Sequence, residues 1–159
     1  MAITVRRVEA ADLEYLREHQ ARPDLGLVDE LFQAQEAGNL LFAVAVEEDK
    51  LLGTAVLDLK SEEIAPELRN MWVYPHARRR GAGRALSEWL EDQARKAGYE
   101  AVYLAVDPNN EKAVPLYVSL EYHPTGEHLF VEEHTEQQVE DGTEASTHYA
   151  VYKKSLTMR

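Results

Sequence analysis

Short apolar runs and longer stretches with helical spacing alternate along the chain. Residues 3–8 alternate apolar and polar side chains, which predicts a first strand. Residues 40–46 form a nearly continuous apolar run, which is typical of a strand covered on both faces. After the polar turn at 47–50, residues 51–59 are predicted to return as its antiparallel partner. Residues 67–73 predict a further strand.

The helical stretches are marked by their spacing and by the residues that interrupt them. One helix is predicted to begin near Asp12 and a second to cover residues 28–37, with a break between them at Pro23 and Gly26. The strongest helical pattern covers residues 82–97, where apolar positions recur at intervals of three and four residues. We therefore expect this last helix to bury one face against a sheet.

This strongest helix connects two predicted strands, 67–73 and 101–106. A strand–helix–strand connection of this length implies that the two strands run parallel. A short helix is predicted to end at Leu120. In the tail, residues 127–156 are predicted to form two strands joined around the Asp-Gly pair at 140–143, because Asp-Gly is a strong hairpin signal.

Composition narrows the class of protein. The 159 residues include no cysteine, which excludes disulfides, thiolate metal sites and a cysteine nucleophile, and the six histidines show no metal-ligand spacing. With no repeat or linker, residues 1–159 are expected to form a single mixed α/β domain. There is no apolar run of ~20 residues and no signal-peptide pattern, so we expect a cytoplasmic protein with no membrane partner. The formal net charge of −12 argues against general nucleic-acid binding.

A basic, glycine-containing segment at residues 78–84 stands out against this acidic background. Gly81 and Gly83 allow a tight turn into a helix N-terminus, where unpaired N–H groups and the helix dipole favour an anion such as phosphate. Three consecutive arginines before Gly81 add positive charge there. Two alternatives stay open, since the glycines can simply make the turn and the arginines can be a solvated charge run.

Three motifs occur in the order known from one family. Residues 78–83 (Arg-Arg-Arg-Gly-Ala-Gly) fit a phosphate loop of the form Gln/Arg-x-x-Gly-x-Gly/Ala, and residues 71–75 (Met-Trp-Val-Tyr-Pro) are similar to a strand end of the form Leu-x-Val-x-Pro. Residues 110–122 fit Asn-x-x-Ala-x-x-Leu-Tyr-x-x-Leu-Gly-Phe, with Glu121 in place of the glycine and Tyr122 in place of the phenylalanine. The chain therefore resembles the GNAT superfamily of acyl-CoA-dependent N-acetyltransferases over nearly its whole length.

Glu121 is the plain departure from the family pattern. If the glycine that it replaces takes a positive φ at a helix end, a glutamate there is expected to cost ~1 kcal/mol or more. A helix end that is built differently is the alternative.

The resemblance implies a central mixed, mostly antiparallel sheet flanked by helices, with a parallel strand pair around the cofactor. It implies acetyl-CoA as co-substrate, whose pyrophosphate would bind backbone amides of residues 79–84, with Arg78 and Arg79 as the side chains that would contribute to its binding. The pantetheine arm would pair with residues 71–73, one N–H of which could act as oxyanion donor, and Asn110 would orient the arm. The residues implied to bind the cofactor are Met71, Trp72, Val73, Arg78, Arg79, Arg80, Gly81, Ala82, Gly83, Arg84 and Asn110.

The resemblance also assigns the proton transfers. Tyr117 would be the general acid that protonates the leaving thiolate, since a phenol with an ordinary pKa of ~10 stays protonated. The alternative is a core tyrosine on an amphipathic helix. Glu67, at the start of its strand, would be the general base directly or through water, with Asp58 and Glu62 as weaker candidates. A solvated glutamate at a strand end is the alternative for Glu67.

The negative charge near the C-terminal end of the chain predicts which amine accepts the acetyl group. Residues 113–152 contain eight carboxylates and no lysine or arginine, which favours a small cationic primary amine because anionic walls concentrate cations. A charge excess that only aids solubility is the alternative. Two other functions stay open, namely acetylation of a protein or peptide amine and a non-catalytic CoA-binding sensor module on the same fold. An exposed strand edge in the tail is compatible with a homodimer.

Overall fold

The computed structural model describes residues 2–20, 23, 26–60, 64–107, 113–130 and 148–157. The described strands are β1 (Thr4–Arg7), β2 (Leu40–Glu47), β3 (Lys50–Asp58), β4 (Glu67–Val73), β5 (Ala101–Val106), β6 (His123–Phe130) and β7 (His148–Ser155). They form one sheet in the order β1-β2-β3-β4-β5-β7-β6. Every neighbouring pair is antiparallel except β4 and β5, which are parallel. The predicted mixed, mostly antiparallel sheet is confirmed.

Helices cover both faces of this sheet. The described α-helices are α1 (Leu13–His19), α2 (Leu27–Glu36), α3 (Ala82–Lys96) and α4 (Ala113–Ser119). Leu86 and Leu90 of α3 pack into one buried cluster, whereas Leu16 of α1 and Leu31 of α2 pack into another on the opposite face. Among the described residues, no helix is long and apolar enough to cross a membrane.

Strand β2 shows why its apolar run is continuous. Ala43 and Ala45 belong to the cluster under α3, while Phe42 and Val44 belong to the cluster under α1 and α2. Because successive side chains of a strand point to opposite faces, a strand buried on both faces needs apolar residues at every position.

The predicted elements between β4 and β5 are confirmed most closely. The helix predicted over residues 82–97 is α3, and Gly98 ends it with a φ of 96° and an N–H bonded to Arg95 C=O. Strand β5 has the predicted bounds. The first tail strand begins at His123, four residues earlier than predicted, and the turn expected at 140–143 lies outside the described residues.

The end of α4 is built with Glu121 in the left-handed region, at a φ of 74°. The N–H of Tyr122 bonds Tyr117 C=O at 3.0 Å, and the N–H of Glu121 bonds Val118 C=O at 3.0 Å. This pair of bonds is the Schellman arrangement, in which glycine is the usual residue at the position of Glu121. The alternative of a differently built helix end is therefore wrong, and Glu121 takes the conformation of the glycine that it replaces.

Candidate active site

Strand β4 carries a β-bulge close to its middle. Thr54 of β3 pairs with Trp72, but Val56, two residues on, pairs with Arg69, so β4 has one residue more than β3 over this interval. Asn70 lies inside the bulge with a φ of 54°. Bulges of this kind redirect the strand and its backbone groups and are frequent beside active sites. The sequence alone does not reveal this role of Asn70, because its only signal is the tolerance of asparagine for the left-handed region.

Gly53 of β3 lets the end of β4 come unusually close. A Cβ atom at Gly53 would lie 2.5 Å from the backbone oxygen of Trp72 and 2.8 Å from Cα of Val73. Both atoms belong to the backbone, so no side-chain rotation could make room for a larger residue. Glycine at position 53 is therefore required by the position of β4.

Strands β4 and β5 are paired at one end only. The single paired position among the described residues joins Glu67 with Tyr103, and Tyr103 N–H also bonds Pro66 C=O at 3.0 Å. Beyond Glu67 no further residue of β4 pairs with β5 among the described residues, which leaves that edge of β4 without a partner strand towards its C-terminal end. An open strand edge can pair with an extended ligand in the manner of an added strand.

The side chains at the end of β4 point away from this opening and into the protein. Met71 packs in the cluster under α3 and Trp72 in the cluster under α1 and α2, and both are buried. Val73 is half-buried. What this segment offers at the opening is therefore its backbone, as the expected strand-like pairing requires.

The loop from β4 to α3 presents an uncapped helix N-terminus. Gly81 is the N-cap residue with a φ of 90°, no side chain caps the helix, and its first turn contains no acidic residue. Arg79 has a φ of 66°, so the turn contains two left-handed residues. The first N–H groups of a helix have no acceptor within the helix, and the dipole makes this end positive. The segment thus fits an anion such as a pyrophosphate.

Three arginines of the loop contact other residues of the protein. Arg78 Nε donates to Val73 C=O at 2.9 Å, and its guanidinium lies 5.0 Å from the centre of the Trp72 ring. Arg80 pairs with Glu47, and Arg84 Nη2 donates to Ser119 Oγ at 3.0 Å. Arg79 is exposed and makes no ion pair within the described part of the chain. A phosphate contact of these side chains remains a prediction.

Gly83 marks the point where three elements meet. A Cβ atom there would lie 3.5 Å from Leu116 Cδ2 of α4 and 4.0 Å from both Met71 Sδ and Val73 Cγ2 of β4. The start of α3, the end of β4 and helix α4 are therefore in contact. The sequence predicted this association only through the resemblance.

Tyr117 lies on α4 and is buried, with 8% of its surface exposed. Burial raises the pKa of its phenol from 10.0 to about 12, because the charged phenolate is poorly solvated there. Its ring packs edge-on against the ring of Tyr122, with centroids 5.9 Å apart. A proton therefore stays on the phenol at neutral pH. Both the predicted acid role and the alternative of a core tyrosine are compatible with this burial.

The carboxylates proposed as general base differ in their surroundings. Glu67 is half-buried at the start of β4, where β4 and β5 are still paired. Asp58 pairs with Glu67 across the strands but is held by Arg69, whose Nη2 lies 2.9 Å from Asp58 Oδ2. Glu62 and the predicted cofactor residue Asn110 lie outside the described residues. No group of histidine, aspartate and glutamate that could hold a metal ion occurs in the described ranges.

A small cavity of about 10 Å³ lies behind the bulge, on the face covered by α1 and α2. Its walls contain no charged residue, and they are formed by Leu16, Gln20, Val28, Leu31, Phe42, Thr54, Asn70, Trp72 and Tyr74. Trp72 Nε1 and Gln20 Oε1 are buried and have no hydrogen-bond partner among the described residues. Next to the cavity, Tyr74 stacks on His76 with ring centroids 5.8 Å apart. This side of β4 is therefore uncharged, with aromatic side chains and the polar side chains of Gln20, Thr54 and Asn70.

Solved structures share this fold at low sequence identity. The ribosomal-protein-S18-alanine N-acetyltransferase from Escherichia coli superposes with a TM-score of 0.71 at 22% identity, over 99% of this chain and 96% of that one. The PaiA N-acetyltransferase from Thermoplasma acidophilum, in complex with coenzyme A, gives 0.71 at 17%, over 98% and 99%. The spermidine/spermine N-acetyltransferase SpeG from Vibrio cholerae gives 0.71 at 18%, over 96% and 92%.

Sequence comparison identifies the family. No curated protein sequence matches the chain significantly. The model of the acetyltransferase (GNAT) family matches residues 5–122, which include β4, the glycine loop, α3 and α4. The chain therefore belongs to the GNAT family of acetyltransferases and is an acyltransferase.

Proposed function

We propose that the protein transfers the acetyl group of acetyl-CoA to a primary amine by direct attack of the amine on the bound thioester. The observation that carries the proposal is the meeting of three elements around Gly83: the open edge of β4, the uncapped start of α3, and the helix that bears Tyr117. They meet three needs of the reaction, which are a pairing edge for the pantetheine arm, an anion site for the pyrophosphate and a proton donor for the thiolate.

The cofactor would be bound mainly by backbone groups. The N–H groups of residues 79–84 would bind the pyrophosphate, and the edge of residues 71–73 would pair with the pantetheine arm. Arg79 is the side chain that we propose to add a phosphate contact, since it is exposed. The other arginines of the loop already have contacts within the protein, which are those of Arg78, Arg80 and Arg84. The arm-orienting role of Asn110 is kept as part of the proposal.

The attacking amine must be neutral, so a protonated acceptor first loses one proton to solvent. The transfer itself then needs one proton at the sulfur and the loss of one from the amine. The amine nitrogen bonds the acetyl carbon, the carbon–sulfur bond breaks, and Tyr117 would give its phenolic proton to the departing sulfur. A backbone N–H at the bulge of β4 would stabilise the charge that develops on the carbonyl oxygen. Glu67 would accept the proton of the amine, directly or through water, and release it to solvent, and the phenolate would recover a proton from solvent.

Glu67 is proposed as the base, as the resemblance implies, and it is half-buried at the start of β4. The Asp58 carboxylate is held by Arg69. Replacement Glu67→Gln is expected to lower kcat by about 10²-fold, the lower end of the range for general acid–base catalysis. Asp58→Asn is the matched control and is expected to keep kcat within a few-fold of wild type. Equal losses in the two variants would remove Glu67 from this role.

The acceptor is proposed to be a small, cationic primary amine. The net charge of −12 supports it, because an anionic protein surface attracts cations. Of the acidic tail, Glu121 and Glu127 are exposed in the structure, and residues 131–147 lie outside the described residues. The names of two relatives specify a protein alanine and spermidine or spermine, so acetylation of a protein amine is the competing reaction.

Thiol release from acetyl-CoA tests the proposal directly. The acceptors are a diamine, a monoamine of equal length, a neutral-tailed amine, and a peptide with a free N-terminal amine. We expect the diamine to give the highest kcat/KM, with a several-fold fall between about 0.01 and 0.15 M salt as screening increases. Fastest turnover of the peptide would instead indicate a protein acetyltransferase. Tight CoA binding without transfer to any amine would indicate the sensor module.

A further inference from the structure

Tyr122 makes two contacts with Tyr117. Its backbone N–H bonds Tyr117 C=O at 3.0 Å, as part of the α4 helix end. Its ring meets the Tyr117 ring edge-on, with centroids 5.9 Å apart and an angle of 73° between the planes. Tyr122 is itself 1% exposed. The backbone and the ring of Tyr117 therefore both depend on where Tyr122 is held.

Tyr122 is held in turn by a buried carboxylate on α3. Its hydroxyl donates to Glu91 Oε2 at 2.9 Å, and Lys154 Nζ of β7 lies 2.8 Å from Glu91 Oε1. Glu91 is 4% exposed, and the Lys154 ammonium also lies 5.9 Å from the centre of the Tyr122 ring. The Glu91 carboxylate thus connects α3, β7 and Tyr122, which lies shortly after the end of α4.

The hydrogen bond to the Glu91 carboxylate fixes the position of the Tyr122 hydroxyl, which an apolar contact would not do. A buried carboxylate is tolerated only when its oxygens are paired, and here each oxygen has one partner. Burial and the neighbouring Glu91 charge raise the pKa of Tyr122, so its hydroxyl keeps the proton that it donates. The hydroxyl therefore has one favoured position, and a ring of fixed orientation faces Tyr117.

A second contact joins the same two helices at the phosphate loop. Arg84 Nη2, in the first turn of α3, donates to Ser119 Oγ in the last turn of α4 at 3.0 Å. Ser119 Oγ in turn donates to Leu116 C=O at 2.6 Å. Helix α4 is thus connected to α3 near the anion site through Arg84, and the segment after α4 is connected to α3 deeper in the core through Tyr122 and Glu91.

We propose that Glu91 is a positioning residue for acetyl transfer, which acts through Tyr122 to hold the Tyr117 phenol where it would donate its proton to the leaving thiolate. The proposal rests on the general-acid role given to Tyr117 above. Misplacement of a reacting group by about 1 Å can cost up to 10²-fold in rate. Loss of this support should therefore lower kcat and leave the cofactor site, which is formed by backbone groups of another loop, unchanged.

A double-mutant cycle on kcat tests this chain of contacts. Tyr122→Phe keeps the ring and removes the hydroxyl, and it is expected to lower kcat about tenfold with the KM for acetyl-CoA within about twofold of wild type. In a Tyr117→Phe background the same replacement is expected to have no further effect on kcat, because the group that it positions is gone. Tyr99→Phe is the matched control, since Tyr99 is a half-buried tyrosine packed against the same core, and it should leave kcat unchanged.

Two variants at position 91 give a second test that does not depend on Tyr122. Glu91→Gln keeps an amide oxygen for the Tyr122 hydroxyl and is expected to retain more of kcat than Glu91→Leu, which cannot accept a hydrogen bond. Thermal unfolding of each variant shows whether it is folded. A greater kcat for the leucine variant than for the glutamine variant would overturn the positioning role.

The outcomes separate this proposal from the proposed function. An equal loss from Tyr122→Phe in the wild-type and Tyr117→Phe backgrounds would show a general structural effect and overturn the proposal alone. An unchanged kcat of Tyr122→Phe, with a strongly reduced kcat of Tyr117→Phe, would do the same. An undiminished kcat of Tyr117→Phe would instead overturn the acid role of Tyr117 and the positioning role with it.

Discussion

Replacement of Glu121 by glycine is expected to stabilise the protein. Glu121 has a φ of 74° at the end of α4, with its backbone N–H and that of Tyr122 bonded to carbonyls of the helix. A left-handed conformation costs a residue with a Cβ atom about 1–2 kcal/mol, and glycine adopts it without that cost. Glutamate is also unfavourable next to the negative end of a helix dipole, by a few tenths of a kcal/mol.

The expected gain in the free energy of unfolding is smaller than the strain energy, because glycine also increases the conformational entropy of the unfolded chain. This entropy reduces the gain by about 0.4–1 kcal/mol. The net increase in the free energy of unfolding for Glu121→Gly is then about 1 kcal/mol, or about 2–4 °C in Tm for a chain of this size. Chemical denaturation and thermal unfolding both measure it.

Glu121→Gln is the control that separates the effect of backbone strain on stability from the effect of the glutamate charge. It removes the carboxylate and keeps the Cβ atom, so it should gain only the few tenths of a kcal/mol that come from the dipole. If the glutamine variant is as stable as the glycine variant, backbone strain at position 121 does not lower the stability of the protein. A loss of stability in Glu121→Gly would lead to the same conclusion.

Three further predictions concern the site and its supports. Gly81→Ala is expected to raise the KM for acetyl-CoA several-fold, because alanine is strained at a φ of 90°. Gly83→Ala is expected to keep a KM near that of wild type, since its Cβ would lie at an ordinary 3.5 Å from Leu116. Steady-state kinetics at varied acetyl-CoA concentration compare the two variants. Gly53→Ala should lower the free energy of unfolding by about 1–3 kcal/mol or more, measured by urea denaturation, because its Cβ would lie 2.5 Å from a backbone oxygen. Burial raises the pKa of Tyr117 to about 12, so the stability that its protonated phenol contributes is present below pH ~10 and is lost as the pH rises towards 12. Wild type should therefore lose up to about 3 kcal/mol more than Tyr117→Phe between those pH values in denaturant titrations, and equal losses would contradict the burial argument.

The parts of the fold that the sequence predicts well are those with a strong local pattern. The apolar spacing of α3 and the continuous apolar run of β2 each follow from burial of a definite face, and both are confirmed. The parallel arrangement of β4 and β5 followed from the length of the connection between them. The early start of β6 at His123 was missed because His-Pro-Thr-Gly at 123–126 carries turn residues rather than strand residues.

The features of the site that the sequence did not predict depend on contacts between distant residues. The bulge at Asn70 exists because β3 and β4 pair in a shifted register, which no local pattern records. The need for glycine at position 53 comes from the backbone of Trp72, and the partners of Glu91 come from β7 and from the end of α4. Such contacts are visible only once the strands and helices are assembled.

The most direct test of the central claim is the rate of thiol release from acetyl-CoA, in the presence of an accepted amine, for wild type and Tyr117→Phe. Wild type is expected to release thiol only when the amine is present. Tyr117→Phe is expected to lower kcat by about 10²-fold or more while the KM for acetyl-CoA is nearly unchanged, because the phenol would donate a proton to the leaving sulfur and does not bind the pyrophosphate. Equal kcat values for the two proteins would contradict the general-acid role of Tyr117.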